Sequence, residues 1–496
     1  MSFPINKIVV VGKDADAWIA ALMLKRAFSN FTSAIQIHLV ELNSELIKHD
    51  FFSVLPGHQL LHKVLGANES GLLAAAKGLY SFGQRFSNWS GSASAFIHGY
   101  DKFGADLKGV DFLHYWLKAS ESGLNVPLED FSLGVVAAKA NRFVTASDIS
   151  SNFSEASYGY NLSATPYVQT IAKVALKLGV IHHRGTIASV EVDEKKIKCI
   201  RLANDDVVDG DFFIDASGSD GILIKHLEEK NYDDWSNWFG CNHQLIGSAK
   251  PLSPRPAFSQ ISAFAPGWIG IFPLLDRTAV SISYNSSIAN HEEVLDQATA
   301  ISGLRLESPT LTEISYGARK QQWIGNCVAV GDAAARMDSI DAQHLHLLHV
   351  GLSLLRALFP NNNNYLVEAK IYNEKMNNYI IGMRDYQLAH YYLNRRFGDP
   401  FWDMCRKVNI PESLQRRLEL FKKRGLVALT EEDVFQVADW QSLFIGHGLR
   451  PAHYSPLVNQ IPDHELITRF QQILSYISKE VNCLPMFETQ VEINLL

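Results

Sequence analysis

Residues 7–12, Lys-Ile-Val-Val-Val-Gly, constrain the fold of this chain more than any other stretch. A run of β-branched residues closed by glycine reads as a strand buried on both faces. From Ala15 to Phe28 the apolar residues recur at helical spacing, and 35–41 (Ile-Gln-Ile-His-Leu-Val-Glu) reads as a second strand. Strand, tight turn, helix and strand in about 35 residues make a β-α-β unit, the usual opening of a doubly wound parallel sheet. The turn leaves backbone N–H groups free at a helix N-terminus, which suits a phosphate.

With 496 residues the chain exceeds what one compact core usually serves, and two or three modules are expected. A net charge of −7 offers no basic excess to displace counterions, so nucleic acid is excluded as the main partner. The five cysteines, Cys199, Cys241, Cys327, Cys405 and Cys483, are scattered and never spaced as CxxC. That argues against a disulfide framework or structural zinc and for a reducing compartment. The start, Met-Ser-Phe-Pro-Ile-Asn-Lys, has no basic segment followed by an apolar one, so no signal peptide is expected. No apolar run approaches the ~20 residues that span a bilayer. A cytoplasmic location without membrane contact follows as the expectation.

Further along, the pattern predicts a helix over 165–180 with Thr165 as N-cap and Pro166 at its first position. Strands are expected at 186–192 and 197–203. Residues 211–218 (Asp-Phe-Phe-Ile-Asp-Ala-Ser-Gly) give a strand running into a small-residue turn. Residues 326–335 repeat that pattern, followed by a helix from about 340 to 358 and a loop at the asparagine run 361–364. The rest reads as mostly helical to about 425 and again from 463.

These segments supply strand-to-turn junctions. The dinucleotide fingerprint is G-x-G-x-x-G, whose second glycine admits a pyrophosphate to the backbone and whose third lets helix and strand pack closely. Here those positions are Gly12, Asp14 and Ala17. Ala17 is a mild change, whereas Asp14 puts a negative side chain where a pyrophosphate would lie; locally it reads as a helix N-cap. Glu41 ends the second strand, 29 residues after Gly12, and is placed to accept from a ribose. Gly331-Asp332-Ala333 forms another junction, of the kind that in large flavoproteins sets an aspartate on the ribitol hydroxyls and aims the next helix at the flavin ring.

At this point the chain resembles the flavin-dependent tryptophan halogenase family over almost its whole length. Gly267-Trp268-Ile269-Gly270-Ile271-Phe272-Pro273-Leu274 is similar to the family's G-W-x-W-x-I-P-L signature. Trp323-Ile324-Gly325-Asn326-Cys327-Val328-Ala329-Val330-Gly331 resembles its W-V-x-N-C-V-A-I-G strand. Arg384-Asp385-Tyr386, His390-Tyr391 and Asp399-Pro400-Phe401-Trp402 follow its C-terminal pattern, as do His447-Gly448, Pro451, Tyr454 and Pro456. The resemblance implies an α/β, Rossmann-like fold of the FAD-dependent monooxygenase type, with a mixed-sheet substrate region and a C-terminal helical region. It sets a discontinuous FAD-binding module at 1–360, with substrate-side insertions at about 90–160 and 235–315, and a helical region at 361–496. It also implies a chemistry: FAD, reduced by a separate flavin reductase, and oxygen oxidise chloride or bromide, and the electrophile reaches a small aromatic molecule or a peptide-borne aromatic. A lysine handles the halogen electrophile and a glutamate stabilises the cationic ring. Homodimers are common in the family, though no residue pattern here shows one.

Against that pattern the chain departs at the reacting centre. The family's lysine falls on Ser81, whose hydroxyl can neither form a chloramine nor donate from an ammonium. Lys77, four residues earlier, reads as a surface lysine. The glutamate falls on Asp341, shorter by a methylene, about 1.5 Å, with a helix cap as its local alternative. The halide-holding residues after it are Ala342, Gln343 and His344, and a flavin-side loop reads Phe51-Phe52-Ser53-Val54-Leu55-Pro56. The second signature tryptophan is Gly270, within a candidate substrate cleft formed by Trp268, Gly270, Phe272 and Pro273. Of His344, His346 and His349 only the last two share a helical face and no acidic triad is placed with them, so they read as core or interface histidines and no metal is assigned. Two functions stay open: an FAD-dependent oxidoreductase or monooxygenase on an aromatic substrate, with halide use in doubt, or a non-catalytic, FAD-free member that binds a ligand or partner in the old cleft. An NAD(P)H-dependent aromatic hydroxylase of similar topology is the weakest reading.

Overall fold

The computed structural model describes residues 5–29, 35–91, 94–143, 157–360 and 366–495. The asparagine run 361–364 lies outside them. The chain forms two compact units. The first comprises Met1–Gly78, Leu162–Ser236 and Ser315–Ile381, and the second Leu79–Asn161, Asn237–Ile314 and Gly382–Leu496.

The first unit is built on a six-stranded sheet in the order Trp323–Ile324, Cys327–Ala329, Phe212–Ala216, Lys7–Gly12, Gln36–Glu41 and Ile181–Arg184. Its pairings are parallel except at the Trp323–Ile324 edge. The opening strand lies between Phe212–Ala216 and Gln36–Glu41, with Val9 opposite Phe213 and Val10 opposite Leu39. Ile8, Val9, Val10 and Val11 are fully buried, worth about 1.5–3 kcal/mol each. The helix Asp14–Ala27 follows as expected and packs against the helix Ala164–Lys177. That second helix begins earlier than predicted. Its N-cap is Ser163 rather than Thr165, and the Ala164 N–H goes to the Asp50 carbonyl, which leaves Pro166 inside the first turn. Proline is tolerated there because no intrahelical donor is required. Strands Ile187–Asp193, Lys196–Leu202 and Val207–Asp209 form a separate antiparallel sheet.

The second unit carries a seven-stranded sheet in the order Glu307–Glu313, His243–Ala249, Thr278–Tyr284, Gly267–Pro273, Ser259–Phe264, Gly83–Ser87 and Phe96–Gly99. Side-chain alternation gives one face Leu245, Ile269, Ile271, Val280 and Ile282, packed with Val294 and Ala298 of the helix His291–Ser302. The opposite face presents Trp268, Gly270 and Phe272, with Ser283 and Ser281 beside the first two. Helices follow at Pro400–Lys407, Glu412–Arg424, Val437–Gly446, Asp463–Cys483 and Phe487–Leu495. Among the described residues no helix is long and apolar enough to cross a membrane.

Candidate functional site

In the first unit the turn after the opening strand is tightly built. A Cβ on Gly12 would lie 2.1 Å from the Ala216 carbonyl oxygen, so only glycine allows the neighbouring strand this close. Asp14 does not cap the helix. The N-cap is Lys13, without a side-chain bond, and Asp14 is the first helical residue, held at φ +55°. Its carboxylate turns instead to the loop after the second strand, accepting from the Ser44 hydroxyl at 2.5 Å and the Glu45 N–H at 3.1 Å. Burial pushes the Asp14 carboxyl up, against those two bonds. Ala17 is buried, and its N–H points back to the Lys13 carbonyl at 3.3 Å.

Glu41 lies opposite Gly12 in the sheet register. Its carboxylate accepts from Trp18 Nε1, His182 Nε2 and Arg184 Nε, each at 2.9 Å. Partial burial works against ionisation, but these donors hold the carboxyl below its usual range.

Gly331 takes φ +58°, and a Cβ there would sit 2.0 Å from Asp16 Oδ2. The helix after this turn begins at His344, later than the expected 340, because a short 3₁₀ turn Ser339–Asp341 and the left-handed Ala342 intervene. His344 Nδ1 bonds Asp332 Oδ1 at 2.9 Å, and its Nε2 faces Asp16 Oδ1 at 3.1 Å. The Asp332 N–H reaches Asp16 Oδ2 at 3.3 Å. Burial disfavours the imidazolium, yet the two carboxylates hold His344 well above its usual range. Burial likewise opposes ionisation of Asp332, and His344 outweighs it. Phe52 lies parallel to the His344 ring and offset from it, centroids 5.8 Å apart and planes 6° from parallel, and meets Tyr167 edge-to-face.

Asp341 is buried and follows Asp338, which caps the short turn through the Ile340 N–H at 3.0 Å. It does not cap the next helix, whose N-cap is Gln343. The Gln343 side-chain amide donates to Asp341 Oδ2 at a long 3.4 Å. His346 and His349 have ring centroids 6.3 Å apart, and the structure joins to them a pair the sequence reading missed, His58 and His62, with Tyr167. The signal was present as i,i+4 histidines on one helical face. Among the described residues no group of three or more His, Cys, Asp or Glu could hold a metal ion. The strand–turn junction at 211–218 also closes on itself. Asp215 Oδ1 accepts from the Ser217 N–H and hydroxyl, and Oδ2 from the Leu223 and Ile224 N–H groups.

In the second unit Ser81 ends the strand Leu79–Ser81, buried, with its hydroxyl donated to the Gly83 carbonyl at 2.9 Å. Lys77, in the first unit, is exposed. Trp268 is fully buried and donates Nε1–H to the Tyr391 hydroxyl at 2.7 Å. A Cβ on Gly270 would come within 2.5 Å of the Phe272 ring and 3.1 Å of Trp268, so these two rings cover the space beside the glycine. Pro273 ends the strand, and its carbonyl accepts from Asn161 Nδ2 at 3.2 Å. Trp402 Nε1–H donates to the Phe264 carbonyl at 2.7 Å, and His390 Nδ1 meets His447 Nε2 at 2.9 Å.

The family model for tryptophan halogenase matches residues 7–463. Tryptophan 7-halogenase RebH of Lentzea aerocolonigenes is 24% identical over 501 residues, covering 93% of this chain and 93% of that protein. Among solved structures, the flavin-dependent halogenase BrvH from Brevundimonas sp. BAL3 is 26% identical, with a TM-score of 0.93 and 99% of each chain covered. Xcc4156, a flavin-dependent halogenase from Xanthomonas campestris, is 26% identical with a TM-score of 0.94 and the same coverage.

Proposed function

The chain belongs to the tryptophan halogenase family, and from that premise we propose that it keeps the family scaffold without the family's halogenation, as a member that binds an aromatic ligand. The observation carrying this is Ser81. Where the resemblance sets a lysine, there is a buried hydroxyl already donated to the Gly83 carbonyl. Neither an amine to take up the halogen nor an ammonium to donate to a halogen electrophile is available from it. The second departure is Asp341, a shorter acid bonded by Gln343 at the segment that would hold a halide. The third is His344, drawn to two carboxylates, whose negative charge is hostile to an anion.

Whether FAD fits can be judged from the side chains. Glu41, the ribose acid by resemblance, is already bonded by three donors. Asp332, the ribitol acid, is paired with His344. Asp14 stands where the fingerprint has glycine and brings a negative charge to the turn, with its carboxylate bonded to Ser44 and Glu45. These residues do not fit FAD as the resemblance would hold it. The face the proposal assigns to an aromatic ligand is that of Trp268, Gly270, Phe272 and Pro273; Trp268 and Phe272 are buried and their rings cover the space beside Gly270, so a ligand has to displace one of them.

The test supplies FAD, a flavin reductase, NADH and chloride or bromide with tryptophan, indoles and tryptophan-bearing peptides. No halogenated product is expected by mass spectrometry; any product with a halogen isotope pattern defeats the proposal. A second reading, a flavin-dependent oxygenase served by a separate reductase, is favoured by the left-handed backbone at Asp14 and Gly331, the conformation a phosphate-cradling turn requires. Titration with oxidised and reduced FAD separates the two.

A further inference from the structure

We infer that His344 is a built-in stopper: linked to Asp16 and Asp332 and flanked by Phe52, it closes the first unit's dinucleotide site against a flavin ring. This inference rests on the proposed flavin-free reading and names the device that would enforce it. Four segments converge here. Asp16 comes from the first helix, Asp332 from the Gly331 turn, His344 from the start of the helix His344–Ala357, and Phe52 from the strand Phe51–Val54. The helix start is the element that resemblance aims at a flavin ring, and the turn is the one it aims at the ribitol. Here those two elements are tied to each other, at 2.9 Å between His344 Nδ1 and Asp332.

The arrangement is cooperative in charge. Asp16 and Asp332 are close enough for one residue's N–H to reach the other's carboxylate at 3.3 Å. Both carboxylates face the one imidazole, at 2.9 and 3.1 Å, and acids that share a site repel unless a cation lies between them. His344 supplies it, and each acid supports the charge on the ring. The Phe52 ring, parallel to the imidazole and offset from it at 5.8 Å, adds an aromatic side chain to the space the inference assigns to an isoalloxazine. Removing His344 would therefore take its partner from Asp332, open the space beside Phe52, and create a demand for a new partner between the acids.

The experiment is FAD titration of the full-length protein, read by flavin fluorescence quenching and by retention on ultrafiltration. The wild type is compared with His344→Ser, His344→Gln and Phe52→Ala, each first checked for native circular dichroism. Phe52→Ala leaves both ion pairs in place and serves if the histidine variants do not fold. FAD should bind the folded variants at least tenfold more tightly than the wild type. Affinities within twofold of the wild type overturn the stopper. The two proposals fail differently. Micromolar FAD binding by the wild type sinks the flavin-free reading, and the stopper survives that only if the variants still bind tenfold tighter. No wild-type binding together with no gain in the variants sinks the stopper alone.

Discussion

Asn326 substitutes for a piece of strand. Its side-chain amide accepts the Ile197 N–H at 2.8 Å and donates to the Ile197 carbonyl at 2.9 Å and the Asp211 carbonyl at 3.3 Å. It thereby joins the edge of one sheet to the strand Lys196–Leu202 of another. Asn326→Asp should keep the acceptor and turn the donor into a second acceptor facing two carbonyls, at a cost of about 2 kcal/mol or more. Urea denaturation measures it, and an unshifted midpoint refutes the assignment. Trp268 offers a parallel case. With Tyr391→Phe its buried indole N–H loses the 2.7 Å acceptor, and a loss of about 1–3 kcal/mol is expected, again from the urea midpoint. Both residues sit in motifs that read as family signatures, and at both positions the contacts explain the residue as architecture. Sequence alone named Asn326, Trp268 and Trp402, but not why they are there, because each partner lies over a hundred positions away.

Elements differ in how openly the sequence declares them. The opening β-α-β unit was legible because its period switches from strand to helix within a few residues. The helix Val437–Gly446 was not, since its N-cap is Gln436 and its start is fixed by Asp439 accepting the Gln436 N–H at 2.7 Å, without the Ser, Thr, Asp or Asn that usually announces a helix. The histidines linking the helices His58–Val64 and His344–Ala357 were visible singly and not as a group. Burial pushes His62 down to about 3 and His346 to about 4, and lowers His58 and His349 as well. Unfolded histidine titrates near 6.5, so between that value and the folded ones the unfolded chain binds more protons. Stability should therefore fall as pH drops from about 6.5 toward 4, by about 1.4 kcal/mol per pH unit for each histidine kept neutral. His344 has the opposite sign. Its folded value is raised, so its contribution is present below about 6.5 and lost as pH rises through that folded value. Melting temperatures across pH 4.5–7, beside His346→Gln, check the acid side. The variant should show the shallower decline, and identical slopes would show that His346 does not stay neutral in the fold.

At the scale of the whole molecule, the family's reaction needs several groups at once, and those groups come from distant stretches: 12–17, 41, 81, 331–333 and 341–344. The framework between these stretches is kept, as the match over 7–463 and the TM-scores of 0.93 and 0.94 show. A sequence reading can locate such positions one by one. It cannot see that Asp16 and His344, 328 positions apart, meet at 3.1 Å, because nothing local in either segment encodes the other. On the proposed reading, the loss of halogenation is spread over the chain, so restoring one residue should not bring it back. Ser81→Lys is the sharpest case. Ser81 is only 2% exposed and its hydroxyl serves the Gly83 carbonyl, so a lysine there has to bury a four-carbon stem and an ammonium. An unpaired buried charge lowers its own pKa or disturbs the packing, and a destabilised protein is expected. Even where it folds, the halide segment still reads Ala342, Gln343 and His344, and the acid at 341 is still short by a methylene. Ser81→Lys should therefore yield no halogenated tryptophan with bromide, FAD and a reductase, whereas Ser81→Lys combined with Asp341→Glu and His344→Ser is the smallest set with a prospect of turnover. Liquid chromatography with mass spectrometry decides it. Bromotryptophan from Ser81→Lys alone would mean that a single lysine had been missing, and that the halide segment and the dinucleotide turn work as they stand.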